Sequence, residues 1–128
     1  MEILASRVLF RPKDYERSVG FYRDGLGLAI AREYAGGTVF YAGQSLIEIA
    51  GHGGPDAAAP PFPGALWLQV RDLAAAQDEL RSRGIAVARE AQREPWGLLE
   101  MHVTDPDGVD LIFVEVPDDH PLRRDTRP

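Results

Sequence analysis

The alternation of apolar and polar residues predicts two successive copies of a strand–helix–strand–strand–strand unit. Residues 3–10 alternate and are rich in branched and aromatic side chains, which predicts a first strand. A helix then begins after the capping residue Asp14 and repeats Tyr15, Val19 and Tyr22 at helical spacing. Three short strands, separated by glycine-containing turns, are predicted to follow over 29–35, 37–42 and 45–50.

The same order of elements restarts after a segment rich in Gly, Ala and Pro, which is typical of a linker. Apolar residues alternate from Ala65, Asp72 can cap a second helix, and Gly84 can end it. A tight turn over 105–108 separates the last two strands. The predicted strands of this second half lie near 85–90, 98–104 and 109–116. We therefore predict one domain over 1–128, divided into module one (3–50), a linker (51–64), module two (65–117) and a C-terminal tail (118–128).

Composition narrows the classes of function. The chain has 128 residues, a formal net charge of −6 and no stripe of Lys and Arg, which argues against a nucleic-acid partner. It has no cysteine, so disulfides and thiol nucleophiles are excluded. No apolar run approaches the length that a bilayer requires, and the first residues do not have the pattern of a signal peptide. We expect a soluble cytoplasmic domain with no membrane partner.

Three stretches together resemble the vicinal oxygen chelate superfamily, which contains glyoxalases, bleomycin-resistance proteins and dioxygenases. They are the helix and its ending over 14–28, the pair Trp96-Gly97, and the turn Asp105-Pro106-Asp107-Gly108. The resemblance covers roughly residues 3–117. It implies an α+β fold in which two βαβββ modules form a curved, eight-stranded mixed sheet around a cavity, with the helices on the outer face. It also implies a homodimer.

The resemblance further implies where a metal would be held, on the first, fourth, fifth and eighth strands. The four positions carry Arg7, Glu48, Ala65 and Ile112 in this sequence. Only Glu48 offers a ligand atom, whereas a divalent metal needs several convergent donors. We therefore predict a pocket that keeps its shape but uses no metal and no other cofactor. In this respect the chain resembles the metal-free branch of the superfamily, whose members bind and sequester antibiotics.

Strand alternation predicts which side chains line the pocket, because successive residues point to opposite faces. Trp67 offers a flat surface on which an aromatic ligand can stack, or it fills space in the core. We place Trp96 at the rim and add Phe40, whose face the pattern leaves open. The predicted ligand-contacting residues are Arg7, Leu9, Phe40, Leu46, Glu48, Ala65, Trp67, Gln69, Trp96, Leu98, Glu100, His102, Ile112 and Val114.

Two polar pairs in this set support more specific hypotheses about the pocket. The Arg7 guanidinium can occupy the space of the absent metal and pair with Glu48, or both side chains can reach solvent. Glu100 and His102 lie two apart on one strand, so they can anchor a ligand, act as an acid–base pair, or only fix the local geometry. A substitute metal site built from Glu48, Glu100 and His102 is the weakest of these alternatives.

The leading functional hypothesis is a metal-free protein that binds a small hydrophobic or aromatic molecule, such as an antibiotic, and sequesters it. The alternative is a lyase, isomerase or dioxygenase of the same superfamily that uses a relocated metal, or His102 and Glu100 as acid and base. A third hypothesis is a structural or regulatory dimer whose pocket is filled. No confident catalytic residue follows from the sequence.

Overall fold

The computed structural model describes residues 1–54 and 62–123. The first half contains β1 (Val8–Phe10), α1 (Tyr15–Gly20), a π-helical turn (Phe21–Gly25), β2 (Ile30–Tyr34), β3 (Gly37–Ala42) and β4 (Ser45–Ala50). The second half contains β5 (Ala65–Gln69), α2 (Leu73–Ser82), β6 (Arg89–Arg93), β7 (Leu99–Thr104), β8 (Asp110–Glu115) and a 3₁₀ turn (Pro121–Arg123). The predicted α+β class and the repeated βαβββ order are confirmed.

The eight predicted strands are present in the described residues and form two four-stranded mixed sheets. The order is β1-β4-β3-β2 in the first sheet and β5-β8-β7-β6 in the second. In each sheet the first strand of the half pairs in parallel with the last, and the remaining pairs are antiparallel. The chain accordingly divides into two compact units. The first unit combines the first half of the chain with the turn Asp105–Val109. The second unit begins at Gly64 and contains the rest of the second half.

In the first unit, strand register separates an apolar core face from a more polar face. Residues directly opposite each other on paired strands share a face, so Phe40 and Ile47 belong together on one side. This side is buried and packs on Tyr22, whose ring lies 6.1 Å from that of Phe40 and 6.5 Å from that of Phe10. The opposite side carries Glu48. Alternation thus places the core of this unit between its sheet and its helical segment.

Both predicted helix starts are present. The Asp14 side chain accepts a hydrogen bond from the Arg17 amide at 3.1 Å, and the Asp72 side chain accepts one from the Ala75 amide at 3.0 Å. These bonds satisfy backbone donors that the first turn of a helix leaves unpaired. α2 packs in the second unit, where the Leu73 amide also donates to Glu115 of β8 at 2.8 Å.

Two strand boundaries differ from the prediction. β1 begins only at Val8, because it pairs with β4 over Val8–Phe10 and the apolar residues before it are exposed. β6 begins at Arg89 rather than near 85. Gly84 adopts a φ of 77° and Ile85 donates back to the Leu80 carbonyl, so the residues after Gly84 complete the helix end.

Within the residues that the structure describes, no helix is long and apolar enough to cross a membrane.

Candidate functional site

A buried carboxylate with two donors lies on the polar face of the first sheet. Arg7 Nη1 donates to Glu48 Oε1 at 2.8 Å, and the Tyr34 hydroxyl donates to Glu48 Oε2 at 2.5 Å. Glu48 is only 8% exposed, whereas the Arg7 side chain is 38% exposed. The hypothesised Arg7–Glu48 ion pair is therefore present, and its cationic end reaches solvent.

Tyr34 is the member of this cluster that sequence analysis missed. The β2–β3 register sets Tyr34 opposite Gly37, and the Tyr34 ring lies across the space that a side chain at Gly37 would fill. A Cβ at that position would lie 2.0 Å from Tyr34 Cζ. The Arg32 guanidinium carbon lies 5.2 Å from the Tyr34 ring centroid. The Gly36-Gly37 pair between two strands was the signal that could have revealed this packing.

The two donors set the protonation of the cluster. The hydrogen bond from Tyr34 lowers the pKa of Glu48 most strongly, and the hydrogen bond and charge of Arg7 lower it further against the opposing effect of burial. The same hydrogen bond raises the pKa of Tyr34, because ionising the phenol would place a second negative charge beside the carboxylate. Glu48 is accordingly an anion and Tyr34 a neutral donor at neutral pH.

The residues at the family's metal positions do not fit a metal. Both oxygens of Glu48 already accept hydrogen bonds, Arg7 has no lone pair to offer a cation, and Ala65 and Ile112 have no donor atom. Among residues 1–54 and 62–123, no group of three or more His, Asp and Glu side chains is arranged to hold a metal ion.

Two further predicted residues share the Glu48 face. Leu9 pairs directly with Glu48 and is exposed, and Leu46 lies two residues before it and is half-buried. Phe40 requires a correction of its placement. Its register with Ile47 puts it on the opposite face, where it is fully buried against Tyr22. The register therefore removes the basis for grouping Phe40 with Glu48.

In the second unit, a row of side chains crosses one face of the sheet. Trp67 pairs with Ile112, and Ile112 pairs with His102, so the three share that face. Trp67 is 47% exposed, which supports an accessible ring rather than a core-filling one. Register and alternation add the other predicted members of this face, namely Ala65, Gln69, Leu98, Glu100 and Val114. Ala65 and Gln69 are exposed, whereas Leu98 and Val114 are buried together with Val116.

Glu100 and His102 each have a different partner. Glu100 is 6% exposed and accepts a hydrogen bond from Trp96 Nε1 at 2.6 Å. His102 Nδ1 lies 3.1 Å from Asp110 Oδ1. Glu100 and His102, for which an acid–base role was one of the alternatives, therefore have separate hydrogen-bond partners. Asp110, which sequence analysis did not single out, opens β8 one position after the turn that brings it beside β7.

The Trp96-Gly97 turn is held from two sides. Trp96 is 58% exposed, consistent with a rim position on its unit, although its indole nitrogen is tied to Glu100. His120 Nε2 lies 3.1 Å from the Trp96 carbonyl oxygen, and the imidazole lies directly over Gly97. The described part of the C-terminal tail therefore docks on its own unit. The predicted tail extends beyond the described residues.

A second buried carboxylate in this unit also escaped sequence analysis. Glu94 is 8% exposed and forms an ion pair with Arg89. A second bond from the Arg89 guanidinium reaches the Glu100 carbonyl at 3.1 Å. The ion pair links β6 to the turn that contains Trp96, and the second bond links β6 to the start of β7 at Glu100.

An open cleft of about 670 Å³ lies on the helix side of the second sheet. It is mainly polar and contains Arg71, Arg93 and Arg123 beside Asp72, Glu115 and Asp118. Asp72 and Glu115 are engaged by backbone amides of α2. Leu99 and Glu115, which line the cleft, form a register pair on the face opposite Trp67.

Comparison with known proteins places this architecture in a family. The sequence model of the Glyoxalase/Bleomycin resistance protein/Dioxygenase superfamily matches residues 5–113, and the chain belongs to that superfamily. No protein with a curated description matches the chain.

Solved structures with the same fold are numerous. A glyoxalase/bleomycin resistance protein/dioxygenase from Nocardioides superposes with a TM-score of 0.72 at 19% identity, covering 94% of this chain and 89% of that one. A glyoxalase-related enzyme from Fulvimarina pelagi gives 0.71 at 23% identity, with coverages of 91% and 90%. A lactoylglutathione lyase from Agrobacterium tumefaciens gives 0.68 at 17% identity, with coverages of 90% and 96%. At these identities the likeness shows the fold alone.

Proposed function

We propose that this protein binds a small hydrophobic or aromatic molecule and does so without a metal at the family's metal position. The observation that carries the proposal is the state of Glu48. It is the one metal-ligand position of the family that keeps a donor, and both of its oxygens are engaged by Arg7 and Tyr34. A metal at Glu48 would have to displace an ion pair and a phenol, and it would find no donor at Ala65 or Ile112.

The second sheet supports a ligand of aromatic character. Trp67 is 47% exposed beside the half-buried Ile112, which gives a flat and partly apolar surface on a rigid strand. Small-molecule sites combine such surfaces with a few polar groups that fix orientation. An exposed indole on a sheet also loses little side-chain entropy when a flat ligand stacks on it.

The finer terms of the proposal are chosen by analogy with the metal-free branch that the chain resembles. Sequestration of an antibiotic is the role we favour for such a site, with the protein acting as a cytoplasmic homodimer. The enzymatic alternative based on Glu100 and His102 has less support. Glu100 is held by Trp96 and His102 by Asp110, so they are not arranged as an acid–base couple in the described part of the chain.

Tryptophan fluorescence tests the proposal directly, because the chain contains only Trp67 and Trp96. In the variant W96F the emission comes from Trp67 alone. We expect saturable quenching by at least one member of a panel of aromatic antibiotics that includes bleomycin and mitomycin. The matched variant W67F, which reports through Trp96, should bind the same compound more weakly. A flat response of W96F and of the unmodified protein across the panel would contradict the proposal.

A further inference from the structure

His102 and Asp110 form a pair that fixes the hydrogen-bonding character of the imidazole. His102 Nδ1 lies 3.1 Å from Asp110 Oδ1, and the two side chains are 26% and 44% exposed. An ionised carboxylate only accepts hydrogen bonds, so a neutral His102 must carry its hydrogen on Nδ1. Its Nε2 then has a free lone pair and acts as an acceptor.

The surroundings of this acceptor suit a flat ligand. Trp67, Ile112 and His102 follow one another across three adjacent strands on one face. Because neighbouring strands lie about 4.8 Å apart, the backbone positions of Trp67 and His102 are roughly 10 Å apart, the length of a bicyclic aromatic. Ile112 lies between them and supplies an apolar floor.

The charges on the same face disfavour an anionic ligand. Asp110 lies beside His102, and Glu100 occupies the next register position toward Leu98. The Arg89 cation, which is opposite His102 in the register, is already paired with Glu94. A neutral group that donates a hydrogen bond is therefore favoured over a carboxylate or a phosphate.

We propose that His102, positioned by Asp110, accepts a hydrogen bond from a hydroxyl group, phenolic or enolic, of an aromatic ligand that lies over Ile112 against Trp67. This inference rests on the proposed function and names the ligand class of that site. Asp110 is a positioning residue, because it acts by holding the His102 tautomer. The ligand contacts are made by His102, Ile112 and Trp67.

The test uses NMR with a matched pair of probes, 2-naphthol and 2-methoxynaphthalene, which differ in their ability to donate a hydrogen bond. Long-range proton–nitrogen correlation of the His102 ring should show hydrogen on Nδ1 in the free protein. Titrations followed at the Trp67 indole and the His102 ring should show 2-naphthol binding about tenfold more tightly than its methyl ether, the effect of one hydrogen bond.

The variant D110N separates positioning from structure. An asparagine amide can donate to Nδ1, which favours the tautomer with hydrogen on Nε2 and turns that atom from an acceptor into a donor. We expect the preference for 2-naphthol to disappear, because the oxygen of either probe can accept a hydrogen bond from Nε2–H. The control D78N removes the same charge from the exposed face of α2 and should leave the tautomer and the preference unchanged. If D110N does not fold, H102F serves in its place and should lose the same preference, because a phenyl ring has no lone pair to accept the hydrogen bond.

The outcomes distinguish the two proposals. Equal binding of both probes by the unmodified protein would overturn the inference about His102 while leaving ligand binding intact. A preference that survives the tautomer change in D110N, or that survives H102F, would overturn it too. If neither probe perturbs the Trp67 signals, that result would instead contradict the proposed aromatic ligand site itself.

Discussion

Glu48 is a buried carboxylate that accepts hydrogen bonds from two different donors, a guanidinium and a phenol. Both donors favour its ionised form. Removing the phenol would leave a carboxylate oxygen without its partner, and removing the guanidinium would leave the negative charge uncompensated. Such losses cost more than the bonds contribute net, because the buried group has already lost its water. Substitutions in this cluster should therefore lower the stability of the first unit.

The lowered pKa of Glu48 predicts an acid-dependent loss of stability. The folded carboxylate binds a proton less readily than the unfolded one, whose pKa is about 4.3. Its stabilisation is therefore complete above that value and is lost as the pH falls through the lower folded pKa. The free energy of unfolding, measured by urea titration at a series of pH values, should fall over this range. E48Q should flatten the fall, and the exposed-residue control E33Q should keep it.

The contact between Gly37 and Tyr34 predicts a non-additive pair of substitutions. G37A should destabilise the protein by about 1–3 kcal/mol, because the new Cβ displaces the Tyr34 ring and breaks its hydrogen bond to Glu48. In a Y34A background the same change should be neutral or stabilising, since alanine restricts the unfolded chain more than glycine does. Urea unfolding of the four proteins of the cycle measures the coupling. Equal effects of G37A in both backgrounds would show that the position of the Tyr34 ring does not require a glycine at 37.

At the scale of elements, the π-helical turn after α1 is tied to the turn between β7 and β8. The Tyr22 hydroxyl donates to Asp105 Oδ2 at 2.7 Å, while Asp105 Oδ1 accepts from the amides of Asp107 and Val109. Burial, followed by the charge and hydrogen bond of Asp105, raises the pKa of Tyr22 far above its ordinary range. Tyr22 is thus a neutral donor at neutral pH.

Y22F should lower the free energy of unfolding by about 1–3 kcal/mol, because it leaves one oxygen of a buried carboxylate without a donor. The phenyl ring keeps the packing on Phe10 and Phe40, so the loss reports the hydrogen bond. Y41F removes a hydroxyl from a residue that is 55% exposed and should change stability by less than about 0.5 kcal/mol. Equal losses in the two variants would contradict the importance of this contact.

At the scale of the whole molecule, the family resemblance and the site residues lead to different expectations about metal binding. The chain belongs to the superfamily, whereas the residues at the four positions where the resemblance implies a metal do not fit one. We therefore predict that Ni²⁺, Zn²⁺, Mn²⁺ or Fe²⁺ will not raise the melting temperature and that a chelator will not lower it. A specific ligand of the folded state would stabilise it by mass action. A metal-dependent rise that E48Q abolishes would contradict this prediction.

Much of the secondary structure could be predicted from local pattern. Asp14 and Asp72 marked the helix starts, and the alternation around Ile47 and Ile49 marked a strand with Glu48 on its polar side. The shortening of β1 could not be predicted, because Ile3 and Leu4 continue the pattern but have no pairing partner. The sequence also could not show which face of the sheet Phe40 occupies, because that depends on the pairing of β3 with β4.

Sequence by itself determined the βαβββ repeat, the loss of three metal-ligand positions and the opportunity for Arg7 to pair with Glu48. The repeat follows from the local pattern of the chain. The metal positions are those that the family resemblance implies, and residue identity shows that three of them carry no ligand atom. Tertiary structure decided that Tyr34 completes the Glu48 site and that Asp110, rather than Glu100, holds His102. Such partners come from different strands, and which residues meet there is set by register and turns that no local pattern encodes.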